Sequence, residues 1–404
     1  MRKLPPVGVA LQMGELLAAL RAGPTAEADL INALQERVPS PHVFLFGSGR
    51  AALTALLSAM RRRSERRRVI VPAYTCWSVP AAVVRAGLRV LPVEMAPGLI
   101  DYDLERLARL DWSDVLAVIS PNLFGLPGDL TRLQGLAEAH EAQLIDDAAQ
   151  ALGASLRGAA VGGFGPAGIC SFGRGKNITA LGGGAAFVRD DDLAVDVAAV
   201  ADSFRGEPPP ESWAVAGKGA AMTTALSPFF FGLAESLPGV HVGRTVYEPN
   251  FPTPAIGNAR AALAARVLNR LDQLNQRRGQ MAESLDRVLL EGHALALPKP
   301  RSGAVPAWLR RPVLVPEPER RDELLAAWQA AGIGASAMYP AAVHRIPGLE
   351  GDLDLRGAPF PGAERLAASL IALPLVEGLQ REDIDLIDRV ARNVLGKRRT
   401  DRWV

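Results

Sequence analysis

Cysteine and histidine are scarce in this chain of 404 residues, and the scarcity of each excludes a class of protein. The two cysteines, Cys76 and Cys170, cannot form the disulfide framework of a small secreted domain. The five histidines do not stand at metal-ligand spacings from one another, so we do not expect a metal site. We therefore look for chemistry that needs neither a metal nor a disulfide.

Charge of one sign and long apolar runs are lacking as well. The 45 basic and 43 acidic residues give a net charge of +2, which offers no reason to expect a nucleic-acid partner. The dense basic run at 61–68 is interpreted as a solvated loop, with an anionic membrane surface as the weaker alternative. The longest uncharged stretch, 219–234, is too short to span a membrane. The N-terminal residues lack the apolar core of a signal peptide, so we expect a cytoplasmic protein.

Apolar runs alternate with helical patterns over the first half of the chain. This alternation predicts an α/β fold, with a mainly parallel seven-stranded sheet between two layers of helices. A hydrophobic content of 49% is enough for a core of that size. The strands are predicted at 43–46, 69–72, 88–93, 115–119, 143–145, 169–172 and 185–188, and the helices at 26–38, 50–60, 77–86, 103–110 and 130–140.

The second half of the chain predicts a smaller α+β unit. A long helical pattern begins at Ile256 and is followed by a strand at 312–315, a helix at 318–331, a strand at 335–338 and a helix at 381–395. We expect three parts: an N-terminal arm and helix at 1–40, a large domain at 41–245 that includes a hydrophobic connector at 205–245, and a small C-terminal domain at 246–404.

Small, polar and charged residues follow several predicted strands, where ligands of open α/β sheets bind. Gly47-Ser48-Gly49-Arg50 opens a helix, whose free N–H groups suit a phosphate, although a tight turn explains the glycines equally well. Ser171, at the end of the sixth strand, is either a second phosphate ligand or an ordinary core serine. The sequence therefore predicts a site at this edge of the sheet.

Lysine is also scarce, and Lys176 stands between glycines just after the sixth strand. It is either an amine placed to condense with a cofactor aldehyde or a solvated loop lysine. Asp147 follows the buried fifth strand and needs a cationic or N–H partner, which a protonated pyridine nitrogen would supply. The alternative is a cap for a following helix, a role for which Asp146 is the better candidate.

The order of these motifs resembles one known family. S-G-x-x-A-L is followed by P-x-Y-T, N-L-F-G-x-P-x-D, D-D-A-A-Q-A-x-G-A, S-F-G-R-G-K-N and G-G-G. This set is similar to the pyridoxal-phosphate-dependent sugar aminotransferases of the DegT/DnrJ/EryC1/StrS family, which have the aspartate-aminotransferase fold, fold type I. The resemblance is close over 44–190 and looser from there to the C-terminus.

The resemblance implies a role for each matching residue. Lys176 would be the Schiff-base lysine that also moves the proton, and Asp147 would hold the pyridinium nitrogen. Asn250 would reach the phosphate of the neighbouring subunit in a homodimer with shared active sites. The other implied cofactor contacts are Ser48, Gly49, Arg50, Thr75, Cys76, Trp77, Gln150 and Ser171, and the implied substrate contacts are Asn122, Tyr339 and His344.

Four positions depart from the family pattern. Arg50 replaces the usual threonine or serine and would hold the phosphate or reach for an acidic substrate. Cys76 stands where an aromatic usually stacks on the ring, Asn122 replaces a histidine, and Pro252 replaces an arginine. These changes affect the substrate side more than the cofactor side.

The expected function is transfer of an amine from a donor such as glutamate to a keto-sugar nucleotide in polysaccharide or secondary-metabolite biosynthesis. One alternative is a different ketone, apolar or lipid-linked, or a lyase reaction, and another is a non-enzymatic cofactor-binding regulator. Arg50, Cys76 and the segment 219–239 motivate the first alternative. The aromatic and aliphatic side chains of this segment would pack on the large domain or a dimer partner, which is the favoured interpretation, or would wall an apolar entrance or touch a membrane surface. They are Phe229, Phe230, Phe231, Leu233 and Leu237.

Overall fold

A computed structural model of the chain describes residues 2–204, 211–235, 245–292 and 295–396. The strands in these ranges are β1 His42–Phe46, β2 Arg68–Pro72, β3 Arg89–Val93, β4 Val115–Pro121, β5 Gln143–Asp147, β6 Ser155–Leu156, β7 Ala159–Ala160, β8 Ala167–Ser171, β9 Gly184–Val188, β10 Ala304–Val305, β11 Arg310–Leu314 and β12 Leu370–Pro374. The α-helices are α1 Met13–Leu20, α2 Ala26–Arg37, α3 Gly49–Arg62, α4 Ser78–Arg85, α5 Leu104–Ala108, α6 Leu130–Ala139, α7 Asp191–Ser203, α8 Ser212–Ala225, α9 Pro228–Glu235, α10 Asn258–Leu268, α11 Leu271–Gly292, α12 Pro318–Ala330, α13 Pro361–Ser369 and α14 Arg381–Leu395.

The central sheet has seven strands in the order β1-β9-β8-β5-β4-β2-β3. Only β9 runs against its neighbours, because it pairs antiparallel with both β1 and β8, and the remaining pairings are parallel. The mainly parallel seven-stranded sheet is therefore confirmed, and all seven predicted strands lie in it. Their near-continuous apolar runs are typical of strands that are covered on both faces.

Helices bury the two faces of the sheet in separate cores. One core packs α3, α4 and α7 against one face, and the other packs α1, α2 and α10 against the opposite face. The long helical pattern from Ile256 is divided into α10, which lies on the large sheet, and α11, which continues into the smaller unit. The division of the chain near residue 245 stays a prediction.

The smaller unit is built on the antiparallel pair β11 and β12, which α11, α12 and α14 cover. The strand predicted at 335–338 is wrong, because this segment makes a single bridge, between Ser336 and Ala372 of β12. The chain then leaves the pair at Tyr339, whose N–H donates to the hydroxyl of Tyr74 in the large unit. The segment therefore crosses between units instead of extending the sheet.

The connector at 205–245 contains α8 and α9. Parts of the connector lie outside the described residues, namely 205–210 and 236–244, which includes Leu237. No helix in the described part of the chain is long and apolar enough to cross a membrane. The basic run at 61–68 is not wholly solvated, since Arg66 donates hydrogen bonds to the carbonyls of His140 and Glu141.

The ends of β8 and β9 and the beginning of α3 converge more closely than side chains would permit. A Cβ on Gly184 would lie 2.5 Å from the backbone nitrogen of Gly49. A Cβ on Gly49 would lie 2.8 Å from the Cβ of Ser171. Both distances are far below a normal contact between carbon or nitrogen atoms, which is about 3.5 Å. Glycine is therefore required here, and it brings Ser48 and Ser171 to one corner of the sheet.

This convergence predicts that Gly184→Ala destabilises the protein while Gly182→Ala does not. Alanine at 184 forces two backbones apart, and such overpacking costs about 1–3 kcal/mol. The three atoms nearest to a Cβ on Gly182 all belong to the end of the Arg260 side chain, the closest at 3.1 Å, so we expect a change within about 0.5 kcal/mol. Urea unfolding of both variants gives the comparison, and equal losses would contradict the packing argument.

Candidate active site

Backbone N–H groups and hydroxyls gather at the convergence of β8, β9 and α3. Ser48 caps α3, and its Oγ accepts from the N–H of Ala51 at 3.2 Å. The N–H groups of Gly49 and Arg50 belong to the first turn, so they have no acceptor within the helix. The Oγ of Ser171, which is buried, accepts from the N–H of Gly173 at 3.3 Å. Such a corner can bind an anion such as a phosphate.

The Arg50 side chain does not take part in this corner. Its Nη1 lies 3.0 Å from a carboxylate oxygen of Glu248, and its guanidinium carbon lies 4.2 Å from the ring centre of Phe251. In this structure the guanidinium is paired with Glu248 and packs on Phe251, and the phosphate or acidic-substrate role expected for Arg50 stays a prediction. Asn250 is exposed on the same segment and does not line the two cavities described below.

The two consecutive aspartates at the end of β5 have different surroundings. Asp146 is fully buried and accepts from the N–H groups of Gly162 at 2.6 Å and Phe164 at 3.1 Å, and from Asn122 Nδ2 at 2.9 Å. Asp147 accepts from the N–H of Ala149 at 2.8 Å and lines a cavity. The chain turns after β5, so neither aspartate caps a helix.

Burial raises the pKa of both carboxyls above the ordinary value. For Asp146 the raised pKa is about 6, and its N–H donors oppose the effect of burial. For Asp147 the Ala149 hydrogen bond and the positive charge of Lys176 oppose it. Asp147 thus keeps unused acceptor positions beside a cation, whereas the acceptors of Asp146 are used by the protein.

Asn122, the residue that follows β4, supports the two aspartates. Its Nδ2 donates to the carbonyls of Ser120 at 3.1 Å and Asp147 at 3.0 Å as well as to Asp146, and its Oδ1 accepts from Gly128 at 3.1 Å. The side chain lines a cavity, but its polar atoms are occupied. This favours a positioning role over the substrate contact expected for Asn122.

Gln150 joins the large unit to Tyr339 of the smaller one. Its Oε1 accepts from the N–H of Phe124 at 3.1 Å, and its Nε2 donates to the Tyr339 hydroxyl at 2.8 Å. Tyr74 fixes the same tyrosine, accepting from its N–H and donating to the carbonyl of Met338. Burial raises the pKa of Tyr339 well above the ordinary value, so its hydroxyl stays protonated.

Two neighbouring cavities meet at these residues. The smaller one, of about 20 Å³, has Asp147, Asn122 and Ser78 in its walls, and the larger one, of about 730 Å³, reaches the smaller unit. Both are lined by Cys76, Ser78, Gln150 and Lys176, which therefore stand where the cavities adjoin. Lys176 thus faces the larger cavity on one side and the Asp147 cavity on the other.

The remaining predicted residues are divided between the cavities and their surroundings. Trp77 lines the larger cavity, and Thr75 is fully buried with no partner for its Oγ1 among the described residues. Tyr339 lines the larger cavity, in agreement with a substrate-side position. His344 lies outside both cavities, because its Nε2 is 3.0 Å from the carboxylate of Glu364 and its ring packs on Phe360.

Two of the walls of the larger cavity were not expected from the sequence motifs. The N-terminal arm contributes Lys3, Leu4 and Pro6, and β11 contributes Arg310. A signal for Arg310 was present, because two consecutive arginines precede the apolar run predicted as a strand at 312–315. No local pattern marks the arm, whose position depends on contacts with distant parts of the chain such as Gly332.

The chain is similar to known proteins of one family. A model of the DegT/DnrJ/EryC1/StrS aminotransferase family matches residues 16–206 and 255–394. The erythromycin biosynthesis sensory transduction protein EryC1 of Saccharopolyspora erythraea is 30% identical over 344 residues, which cover 85% of this chain and 83% of that protein. The dTDP-3-amino-3,4,6-trideoxy-alpha-D-glucose transaminase of Streptomyces venezuelae is 27% identical over 324 residues, which cover 80% of this chain and 75% of that protein. The crystal structure of a DegT DnrJ EryC1 StrS aminotransferase from Brucella abortus has a TM-score of 0.76 at 24% identity, covering 95% of this chain and 96% of that one.

The unequal bonding of the two aspartates predicts unequal effects of amide substitution on the stability of the protein without ligand. In Asp146→Asn an NH2 group must face either Asn122 or the N–H groups of Gly162 and Phe164, and an unsatisfied buried donor costs about 1–3 kcal/mol. In Asp147→Asn the amide oxygen can still accept from Ala149, so the free energy of unfolding should change by less than about 1 kcal/mol. Urea unfolding measures both, and an equal loss in the two variants would refute the division.

Proposed function

The chain belongs to the DegT/DnrJ/EryC1/StrS aminotransferase family, and from this membership we propose that it is a pyridoxal-phosphate-dependent enzyme. It transfers an amine from a donor such as glutamate to a keto-sugar nucleotide. The observation that carries the proposal is that Lys176, Asp147 and Gln150 share the walls of one cavity at the carboxyl ends of the strands. These are the residue types that an amine-transferring cofactor needs.

The residues present fit pyridoxal phosphate. The beginning of α3, with the hydroxyls of Ser48 and Ser171, offers donors for the phosphate. Asp147 has acceptor positions left for a protonated pyridine nitrogen, and the buried Thr75 hydroxyl has no protein partner among the described residues. The larger cavity, of about 730 Å³, has room for a substrate in addition.

The chemistry is divided between the cofactor and the protein. Pyridoxal phosphate supplies, when bound, an aldehyde that condenses with amines and a ring that withdraws electrons from the substrate carbon. Asp147 would hold a proton on the ring nitrogen, because a buried carboxylate favours a cationic neighbour. Lys176 provides an amine that can bind the aldehyde and, when its Nζ is free, a base that moves the substrate proton.

The acceptor is proposed to be a keto-sugar nucleotide for two reasons. The relative from Streptomyces venezuelae carries the name of a dTDP-amino-sugar transaminase, which supports this substrate class. The larger cavity is lined by lysine and arginine side chains and by no aspartate or glutamate in the described part of the chain, which suits an anionic diphosphate. The proposed polysaccharide or secondary-metabolite pathway follows from this substrate.

An apolar or lipid-linked ketone is a second candidate acceptor, and the connector favours it. Phe231 is buried and lines the larger cavity together with Val246, whereas Phe229 and Phe230 are exposed. An exposed aromatic pair beside the cavity is consistent with an apolar entrance or with a partner subunit in the proposed homodimer. Turnover of keto-sugar nucleotides in the purified enzyme would decide for the first candidate.

The proposed role of Lys176 is tested by Lys176→Ala, with Lys218→Ala, an exposed lysine on α8, as the matched control. Loss of the catalytic amine should lower amine transfer from glutamate by at least about 10²- to 10⁴-fold. The control should retain the wild-type rate. The visible spectrum during glutamate addition, together with chromatography of the amino-sugar product, gives the measurement.

Two outcomes would contradict the proposal. Wild-type amine transfer in Lys176→Ala would remove the lysine from the mechanism. Binding of the cofactor by the wild-type protein without amine exchange from any donor would favour the regulator that the sequence left as an alternative.

A further inference from the structure

Two consecutive arginines on β11 have opposite surroundings. Arg311 is 1% exposed and forms an ion pair with Asp286, donates to the carbonyl of Pro298 at 2.9 Å, and stacks on Trp308 at 4.5 Å. Because successive strand residues face opposite sides, Arg310 points the other way, toward the larger cavity. The two side chains therefore provide an internal comparison of a paired and an unpaired buried arginine.

Arg310 is 8% exposed and has no carboxylate within ion-pair distance among the described residues. Its Nε donates to the carbonyl of Pro6 at 3.3 Å, which leaves both Nη groups for another acceptor. A buried charge without a counter-charge is unfavourable, and burial lowers the pKa of Arg310 accordingly. Such a cost is offset when a ligand brings the missing negative charge.

The neighbours of Arg310 place it near the reacting groups. Arg310 lines the larger cavity together with Tyr339 and Cys76, whose side chains carry no charge when protonated. Tyr339 accepts from Gln150 at 2.8 Å, and Gln150 and Cys76 line the smaller cavity together with Asp147 and Lys176. Arg310 therefore shares the larger cavity with Lys176 and with the residues that link this cavity to Asp147.

We propose that Arg310 binds the carboxylate of the amino donor, an α-amino acid, and this proposal rests on the proposed function. In an α-amino acid the carboxylate and the reacting amine are attached to the same carbon, so the carboxylate site must lie beside the reacting lysine. A guanidinium offers two parallel N–H groups that match the two oxygens of a carboxylate. In a sugar nucleotide the sugar ring stands between the diphosphate and the reacting carbon, so the diphosphate would lie farther from the reacting lysine.

The first test measures binding of an unreactive ligand by calorimetry. Glutarate has two carboxylates and no amine or carbonyl, and its uncharged diamide, glutaramide, is the ligand control. We expect Arg310→Gln to weaken glutarate binding about 10- to 100-fold, the range for a lost hydrogen bond to a charged group, and to leave glutaramide unchanged. Arg174→Gln, which removes an exposed arginine from the same cavity, should change glutarate binding less than about threefold.

Arg310→Lys separates the carboxylate site from a purely structural role. Lysine keeps the charge but cannot donate two parallel hydrogen bonds, so glutarate should bind more weakly than to the wild type and more tightly than to Arg310→Gln. Urea unfolding of each variant reports on the fold, and if Arg310→Gln does not fold, Arg310→Lys decides alone. Wild-type affinity for glutarate in Arg310→Lys and in any folded Arg310→Gln would overturn the proposal.

The second test distinguishes a donor carboxylate from an acceptor carboxylate. Uptake of the amine is measured with glutamate and with its α-amide, isoglutamine, in the wild type and Arg310→Gln or, if that variant does not fold, Arg310→Lys. A substitution that lowers amine uptake from glutamate and leaves amine uptake from isoglutamine unchanged supports the donor site. A substitution that weakens only the acceptor step overturns it. If the wild type takes up no amine at all, the proposed function fails, while the glutarate measurement still reports on Arg310.

Discussion

The approach of Gly184 to Gly49 is the constraint on which the candidate site depends. These glycines allow the ends of β8 and β9 to lie against the first turn of α3, so the loop between the two strands leaves and returns at one point. Lys176 stands on that loop. The next residue, Asn177, is held from the smaller unit, since its Nδ2 donates to Ala307 and its carbonyl accepts from Arg278. The loop that carries Lys176 is thus fixed at both ends and at Asn177, and the Lys176 side chain lines the cavities.

The polar side chains around the site differ in how many of their hydrogen bonds the protein supplies. This difference distinguishes residues that support the site from residues that can bind a ligand. Asp146 and Asn122 use their polar atoms on one another and on backbone groups, so they hold the ends of β4 and β5 in register. Asp147 and Arg310 are buried with unused hydrogen-bonding capacity. Buried groups that remain unsatisfied reduce stability, so they are expected where a ligand completes them.

The sequence was sufficient for the parts of the fold that depend on local pattern. Continuous apolar runs predicted every strand of the large sheet, and the rule for open sheets placed Ser48, Asp147 and Ser171 at one edge. Contacts between distant residues could not be read in this way. Gln150 and Tyr339 are 189 positions apart, and the pairing of Arg50 with Glu248 shows only when the chain is folded. The unpaired state of Arg310 is likewise a property of its surroundings, since Arg311 has the same side chain and is paired.

The central claim is that Lys176 holds the cofactor, and borohydride reduction tests it most directly. The protein purified with pyridoxal phosphate is reduced and digested, and the residue that carries the pyridoxyl group is located by peptide mass spectrometry. The account predicts the group on Lys176, in the peptide that follows Arg174. A pyridoxyl group on Lys218 or Lys299, or an unmodified protein after reduction, would contradict it.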